Sequence, residues 1–392
     1  MVKYELKKVF SKSLNKGLLV ITMVLAVVFS CFAIGSQHQQ NDHPGYGLLD
    51  TTRQLVKEKQ RWEGEVTPAV AEKITETAKK EGIYSRPANA DLEELINSVL
   101  CGGGEYDGYK IETVTPTTAR TLYSIRKSNL KKITTEYGKT KEQQLFLKEK
   151  YDKQVVPFYY KPADSWKAMY LYVETYGLVL ILFIGVLAAG IFANEFRWKT
   201  DTVLFSTKHG RSKTVSAKII AGLVTATAVY WMGIAILSLV AFSVMGVSGA
   251  GISALLEQPY QIYDLTFGQE YLLMAFCGYI GALLATAIAM AVAANSKSIV
   301  LASAIPVLLF CVSPFIGRLL PFKRFFQLTP DQLINLLNNI DVPNVYQIGE
   351  TVFAQIPTLV VLYCVLTVLL LPFVFKPSSQ TEEKRKAPGT QK

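Results

Sequence analysis

The chain has little of the side-chain chemistry that supports catalysis or metal binding. Its three histidines, His38, His43 and His209, are scattered, and four of its five cysteines lie in apolar stretches. Only Cys101 lies in the large polar segment, so that segment can form no disulfide of its own, and no His/Cys group has the spacing of a metal site. We therefore expect no catalytic site, metal or cofactor in this chain.

A nucleotide-binding loop is also missing. Gly138-Lys139-Thr140 comes nearest, but Ile133 stands where the first glycine of a phosphate loop belongs. Charged residues and histidine are absent from the apolar stretches, apart from Glu174 at one end of the second. Carriers driven by protons or ions usually keep such residues at membrane depth, so this absence argues against an ion-coupled carrier.

What the chain does have is six long apolar stretches. A spanning helix needs about 20 mostly apolar residues, whereas soluble helices carry a polar face. Half of all residues are hydrophobic and only 18% are charged. The sequence predicts an α-helical polytopic membrane protein with six transmembrane helices, at Gly17–Gly35, Leu171–Ala193, Ile219–Met245, Tyr271–Ala294, Ser298–Gly317 and Thr351–Phe375.

The basic residues define an orientation. The net charge of +10 is concentrated in residues 1–16, 194–218, Lys297 and 376–392, which fall on one side of the predicted spans. Short basic loops mark the cytoplasmic face, so we expect a multi-pass protein of the cell (plasma) membrane with both termini inside, and no nucleic-acid partner. The first stretch also resembles a signal peptide, but Leu18–Ile34 exceeds the usual apolar region of about 7–15 residues, and we interpret it as a span.

Residues 36–169 predict a mainly helical extracellular domain. Thr67 is expected to cap a helix at Ala69–Lys80, and Asp91 to cap one at Leu92–Leu100. Basic and acidic residues nearly cancel across this segment, which predicts no strong field for a charged ligand. Two further helices are expected at Thr117–Ile133 and Lys141–Gln154.

Several features of the remaining segments concern packing. Small residues at four-residue spacing allow helices to approach closely, either within one subunit or at a dimer seam. Prolines in the last two spans would kink them, and Thr329 is expected to cap an outer helix at Pro330–Asn339. The tail 376–392 predicts disorder. The small residues are Gly281, Ala285, Ala289 and Ala293, and the prolines are Pro306, Pro314 and Pro357.

Residues 1–16 predict a short amphipathic helix on the cytoplasmic side. An apolar stripe that includes Tyr4 and Phe10 faces lysines such as Lys7 and Lys8, a pattern typical of helices that lie on anionic lipid. The lysines are equally explained as flanking charge of the first span.

The segment 194–218 predicts an amphipathic piece, Phe196–Phe205, followed by a turn and by Ser212, which can cap the third span. A short helix held between two spans is a good contact for a cytosolic partner. An ordinary loop with stop-transfer charges is the alternative.

This layout resembles the type-2 ABC transporter permeases, in the variety with a large domain between the first two spans. Glu195, Thr200 and the run Val203–Thr207 match residues common after the second span of that family, as do Gly210-Arg211 with Lys218 before the third. Lys199 departs from the pattern, because glycine is commonest there.

The resemblance implies ATP-driven transport, with export of a peptide, an antimicrobial or a lipid-like amphiphile. A separate cytosolic ABC ATPase would carry ATP and Mg, and a second permease subunit, identical or homologous, would complete the pathway. A membrane sensor whose outer domain binds a ligand is the alternative function. The resemblance assigns ATPase coupling to Glu195, Arg197, Thr200, Asp201, Ser206, Arg211 and Lys213.

Overall fold

The computed structural model describes residues 1–39, 48–82, 87–102, 110–197, 212–315 and 326–375, and this part of the chain is mostly helical. Two short two-stranded antiparallel sheets complete it. The strands are β1 (Gly64–Glu65), β2 (Tyr159–Tyr160), β3 (Val345–Ile348) and β4 (Thr351–Ala354). The helices are α1 (Val2–Ser11), α2 (Ser13–Gln39), α3 (Leu48–Lys59), α4 (Pro68–Glu81), α5 (Ala90–Cys101), α6 (Lys110–Thr113), α7 (Pro116–Ala119), α8 (Leu122–Tyr137), α9 (Lys141–Asp152), α10 (Asp164–Arg197), α11 (Lys213–Met245), α12 (Phe267–Ser296), α13 (Ile299–Val307), α14 (Leu336–Asp341) and α15 (Gln355–Leu370).

Five of these helices, α2, α10, α11, α12 and α15, are long and apolar enough to cross a membrane. The prediction of an α-helical, multi-pass membrane protein is confirmed at this level. Within their most apolar windows α10 and α12 are 67% and 72% buried, whereas α2 and α15 are 28% and 22% buried. The bundle is therefore built around α10 and α12, and the outer helices leave apolar side chains exposed, as lipid-facing helices do.

The predicted span Ser298–Gly317 forms a shorter apolar helix, Ile299–Phe315. Its α13 part contains Pro306 and passes into a π-helical turn at Leu308–Val312. Proline supplies no N–H to the helix, and a widened turn is one way in which a helix accommodates such a gap.

The predicted span Thr351–Phe375 is wrong at its start. Thr351–Ala354 forms β4, which pairs with β3 across a two-residue turn that begins at Gly349 with φ 62°. Such turns need a positive φ, which glycine adopts freely. The helix itself begins at Gln355, so Pro357 lies in its first turn, where proline is tolerated, rather than at a mid-span kink.

Residues 1–16 do not form one continuous helix. Lys12 adopts an extended conformation and separates α1 from α2, which begins at Ser13. Asn15 stabilises this break because its side-chain amide donates to the Val9 carbonyl over 2.9 Å. The break allows α1 to leave the axis of α2 and to pack against α11.

The region between α2 and α10 is mainly helical, as predicted. Thr67 caps α4 by accepting a hydrogen bond from Val70 N, and the helix ends at Gly82, so that prediction is confirmed. The cap predicted for Asp91 is wrong: α5 begins one residue after Asn89, and the Asp91 carboxylate pairs with the ammonium of Lys59 instead.

Two other helix predictions need correction. The expected helix Thr117–Ile133 is divided into α7 and α8 at Arg120-Thr121. Thr329 makes no capping bond, because its hydroxyl donates to Phe326 O over 2.6 Å, and the following residues form a 3₁₀ turn, Pro330–Ile334, before α14. The helix predicted at Lys141–Gln154 is present as α9, with Thr140 as its cap.

Candidate functional site

Four charged side chains meet at the end of the bundle that holds α1. Glu5 and Lys8 come from α1, Glu195 from the last turn of α10, and Lys218 from the second turn of α11. We call this group the α1 cluster. It joins the N-terminal helix to two membrane-spanning helices at the points where the chain leaves α10 and enters α11.

Glu195 is the centre of the α1 cluster. Its Oε1 accepts hydrogen bonds from Lys8 Nζ at 2.7 Å and from Lys218 Nζ. Lys218 Nζ lies 3.5 Å from Glu5 Oε2 and also donates to the carbonyl of Ile191 at 3.3 Å. The two ammonium groups and two carboxylates balance, so the cluster has no net charge.

The side chains of the α1 cluster are buried to different extents, and this decides which contact contributes most to holding the helices together. The side chains of Lys218 and Glu195 are 1% and 8% exposed, whereas that of Lys8 is 43% exposed. A buried ion pair adds little over well-packed apolar residues, but removing one partner costs about 3–5 kcal/mol because a charge is left uncompensated. The Lys218–Glu195 pair therefore fixes the geometry here, and the Lys8 contact is closer in strength to a surface pair.

The pKa values of two lysines near α1 reflect both burial and the neighbouring charges. Burial lowers the pKa of Lys8, but the hydrogen bond to Glu195 and the charges of Glu195 and Glu5 together outweigh this and raise the pKa. Burial is the main cause that lowers the pKa of Lys12, and repulsion from Lys8 and Lys218 lowers it further. The cationic side of α1 is thus held close to the bundle by Glu195.

The predicted coupling residues divide into three groups. Glu195 is buried in the α1 cluster, and Lys213 is the exposed first residue of α11. Arg197 ends α10, and the structure does not describe its side chain. Ser212 precedes α11 but makes no capping bond. The remaining residues, Thr200, Asp201, Ser206 and Arg211, lie outside the described residues, as does most of the predicted piece Phe196–Phe205.

The structure adds Lys218 and Glu5 as central members of this site. Sequence reasoning treated Lys218 as the basic end of a loop because the apolar run starts one residue later. Its place in the second turn of α11, three residues from both buried Val215 and buried Ala221, was the available signal. Such spacing puts the ammonium on the packed face of the helix.

The residues predicted for the membrane surface do not share one environment. Tyr4, Lys7 and Phe10 are exposed, with Tyr4 at 78%. Lys8 instead takes part in the α1 cluster, and Val9 is buried beside it. The exposed face of α1 is therefore both apolar and cationic, as a helix on anionic lipid requires.

The small residues of α12 are all buried within this chain. A Cβ built on Gly281 would lie 2.9 Å from Ile181 Cδ1, so α10 packs directly against the α12 backbone there. Ala285, Ala289 and Ala293 continue the same packed face. Close packing of α10 on α12 makes α10 part of a rigid core.

A second group of charges, buried or partly buried, lies at the opposite end of α10, and we call it the domain cluster. Lys59 Nζ lies 3.1 Å from Asp91 Oδ1 and also contacts Asp164, at the start of α10. Lys167 Nζ lies 3.4 Å from Asp91 Oδ1 and contacts Glu257, in the connection between α11 and α12. The cluster thus ties α3 and α5 to the bundle.

Asp91 is the carboxylate on which the domain cluster depends. Burial alone would raise its pKa, but Lys167 and Lys59 hold the pKa well below the usual range. The hydroxyl of Tyr160 also donates to Asp91 Oδ2 at 2.8 Å. Asp91 therefore stays ionised at neutral pH and keeps both lysines in place.

These contacts make α10 a connector between the two clusters. It runs from Asp164 to Arg197, which is 34 residues, and at about 1.5 Å per residue this corresponds to about 51 Å. Each end contributes an ion pair, and between them Glu174 Oε1 accepts a hydrogen bond from Leu337 N at 2.7 Å. A displacement of the region between α2 and α10, which we call the helical region, can therefore reach the α1 cluster along a packed helix.

The described residues contain no group of three or more His, Cys, Asp and Glu side chains that could hold a metal ion. The two clusters are composed of paired ions, which can hold and move helices. Comparison with protein-family models, with curated proteins and with solved structures finds no significant match to this chain.

Proposed function

We propose that this chain is the membrane subunit of an ATP-driven transporter of the ABC class, whose separate cytosolic ATPase docks beside the α1 cluster. One observation carries the proposal. A buried ion pair joins the end of α10 to the start of α11, and a partly exposed pair adds α1 to it. The segment between α10 and α11 is the one that resembles the family's coupling region. A load applied there would be transmitted to the membrane helices.

The proposal includes an arrangement in the cell membrane. The α1 cluster would be cytoplasmic, in line with the basic charge of its flanking segments. The helix Ile299–Phe315 would act as a sixth span, and the region between α2 and α10 would be extracellular. ATP and Mg would bind the partner ATPase, and a second permease subunit, identical or homologous, would complete the pathway for a peptide, antimicrobial or lipid-like amphiphile.

A membrane sensor is the second candidate. The domain cluster and α10 favour it, because they provide a continuous connection from the helical region to the other end of the bundle. A sensor would bind its ligand at the helical region and signal without hydrolysing ATP.

Gentle purification of the tagged full-length chain from its own membranes separates these functions. The transporter proposal predicts a stoichiometric ATPase partner of about 25–35 kDa, the size of one or two domains, and vanadate-sensitive ATP hydrolysis. A chain that purifies with no ATPase and gives no hydrolysis contradicts the transporter and favours the sensor.

A charge exchange then tests the role of the α1 cluster. Glu195→Lys places a third ammonium beside Lys8 and Lys218, so we expect it to abolish the ATP hydrolysis of the purified complex. Glu195→Lys with Lys218→Glu restores one oppositely charged pair and should recover much of the activity. Lys16→Glu, at an exposed position on the same side, is the control and should have little effect.

The outcomes distinguish two mechanisms. Recovery in the double variant means that the cluster positions the docking surface from within. Loss in both variants, with normal insertion in the membrane, means that Glu195 contacts the partner directly. Unchanged hydrolysis in Glu195→Lys refutes any role of the cluster in coupling.

A further inference from the structure

A concave surface lies in the region between α2 and α10, on elements that contribute no residue to the α1 cluster. It is a groove of about 840 Å³ between α8 and α9, which are joined by a short turn and lie side by side. We call it the α8–α9 groove. A volume of this size is in the range of about 300–1,000 Å³ found for ligand sites.

The α8–α9 groove has a one-sided charge. Five of its lining residues are cationic and one, Asp152, is acidic, although the acidic and basic residues of the whole segment nearly cancel. The lysines recur at helical spacing on the two facing helices, which gathers them along one surface. In the part of the chain that the structure describes, no carboxylate lies within ion-pair distance of the four lysines, Lys127, Lys131, Lys141 and Lys148.

Arg126 provides a built cation in the wall of the groove. It is 4% exposed, its Nε donates to Pro259 O at 2.9 Å, and an Nη donates to Gln154 Oε1. Both acceptors are neutral, and burial lowers the pKa of this guanidinium. The guanidinium carbon also lies 4.9 Å from the centre of the Phe158 ring. A buried guanidinium whose direct partners are neutral is costly to maintain.

The groove is apolar between its cations. Leu145 is 65% exposed and Val156 is 44% exposed, and both line it beside the lysines. The lining of α8 extends from Tyr123 to Thr135, or about 18 Å along the helix axis. The cations are therefore distributed along the groove, which does not suit a lipid with a single charged headgroup.

We propose that the α8–α9 groove binds an acidic peptide segment of about five or six residues, with carboxylates spaced between apolar side chains. An extended peptide covers about 3.3–3.6 Å per residue, so such a segment matches the length of the groove. Its carboxylates would pair with the lysines, and its apolar side chains would cover Leu145 and Val156. Binding requires neither ATP nor the partner ATPase, so the proposal stands or falls separately from the transport function.

Fluorescence anisotropy on the purified full-length chain in a neutral detergent tests this site. The probe is a labelled hexapeptide of alternating Glu and Leu, and the matched probe has Gln in place of Glu. We expect the Glu peptide to bind, the Gln peptide to bind at least about tenfold more weakly, equivalent to about 1.4 kcal/mol, and added salt to weaken binding.

Charge-reversal variants locate the site. Lys131→Glu with Lys148→Glu should weaken binding of the Glu peptide at least about tenfold. Lys132→Glu with Lys150→Glu makes the same charge change on exposed positions of the same two helices, outside the groove, and should leave binding within about twofold. All four positions are exposed, so the variants should fold.

Three results would overturn the proposal. Equal losses in the two double variants would mean non-specific attraction to a basic surface. Equal binding of the Glu and Gln peptides would mean that the cations are not used. Binding of dodecyl phosphate, lost in Lys131→Glu with Lys148→Glu, with no binding of the Glu peptide, would make the groove a site for a single-headgroup lipid.

Discussion

Substitution of Lys218 by Met is the sharpest test of the α1 cluster. It replaces the 1% exposed ammonium by an apolar group of similar length and leaves Glu195 and Glu5 with Lys8 as their remaining cation in the cluster. Loss of one partner of a buried pair costs about 3–5 kcal/mol. Lys8 is 43% exposed and compensates in part, so we expect the lower value, about 3 kcal/mol.

Part of this energy should appear as undocking of α1, because Lys218 Nζ also lies 3.5 Å from Glu5 Oε2 on that helix. An isolated helix as short as α1 is marginal in water, so its amides exchange with solvent when it leaves the bundle. A loss of about 3 kcal/mol therefore sets an upper limit of about 100-fold faster exchange. Hydrogen-exchange mass spectrometry of peptides that cover Val2–Ser11 measures it directly, because local opening is what exchange reports.

Two variants complete the experiment. Lys213→Met, at the exposed start of the same helix, should change exchange by no more than about twofold, as surface substitutions usually cost under about 0.5 kcal/mol. Glu195→Gln with Lys218→Met removes both charges and should be less damaging than Lys218→Met alone, with a coupling energy of about 0.5–3 kcal/mol. Equal exchange in Lys218→Met and Lys213→Met would refute the view that Lys218 helps to hold α1.

Two further predictions concern the bundle and the domain cluster. Gly278→Ala would place a Cβ 2.3 Å from the Tyr230 hydroxyl oxygen, so it should cost about 1–3 kcal/mol of stability. The control Gly17→Ala adds a Cβ where there is open space and should be neutral or stabilising. Equal thermal unfolding midpoints for the two variants would contradict the close packing at Gly278. The lowered pKa of Asp91 contributes stability that is present above its unfolded pKa of about 3.9 and is lost as pH falls below it. The thermal unfolding midpoint of the unchanged chain should therefore decrease as the pH is lowered from about 6 to about 3, and it should decrease less in Asp91→Asn. Parallel curves of midpoint against pH for the two proteins would show that the pairs with Lys59 and Lys167 are not formed.

Local signals in the sequence predicted much of the fold because they act over a few residues. The Thr67-Pro68 cap and Gly82 fix both ends of α4, and those ends are where the structure has them. The start of the last span was missed because Thr351, Val352 and Phe353 are apolar or β-branched and fit a strand as well as a membrane helix. The partner strand β3 decided between the two, and it is a tertiary contact.

Charged residues were the harder case because their role depends on what lies opposite. Asp91 has the residue type and position of a helix cap, and no local pattern indicates that Lys59 and Lys167 approach it from other elements. Glu195 could be selected from the resemblance alone, but its burial against Lys218 could not. The same holds for the α8–α9 groove, where a nearly neutral composition concealed a one-sided arrangement of lysines.

The two clusters place a constraint on how the helical region and the α1 end can influence each other. The α1 cluster has equal numbers of ammonium and carboxylate groups, and each lysine of the domain cluster contacts two carboxylates. Breaking either cluster costs several kcal/mol, about the free energy that a bound ligand or nucleotide can supply. Between them α10 packs closely on α12 at Gly281, and packed cores switch between discrete arrangements rather than deform continuously. A movement that preserves both clusters must therefore carry α10 as one body, with the helical region attached at Asp164 and α1 attached at Glu195.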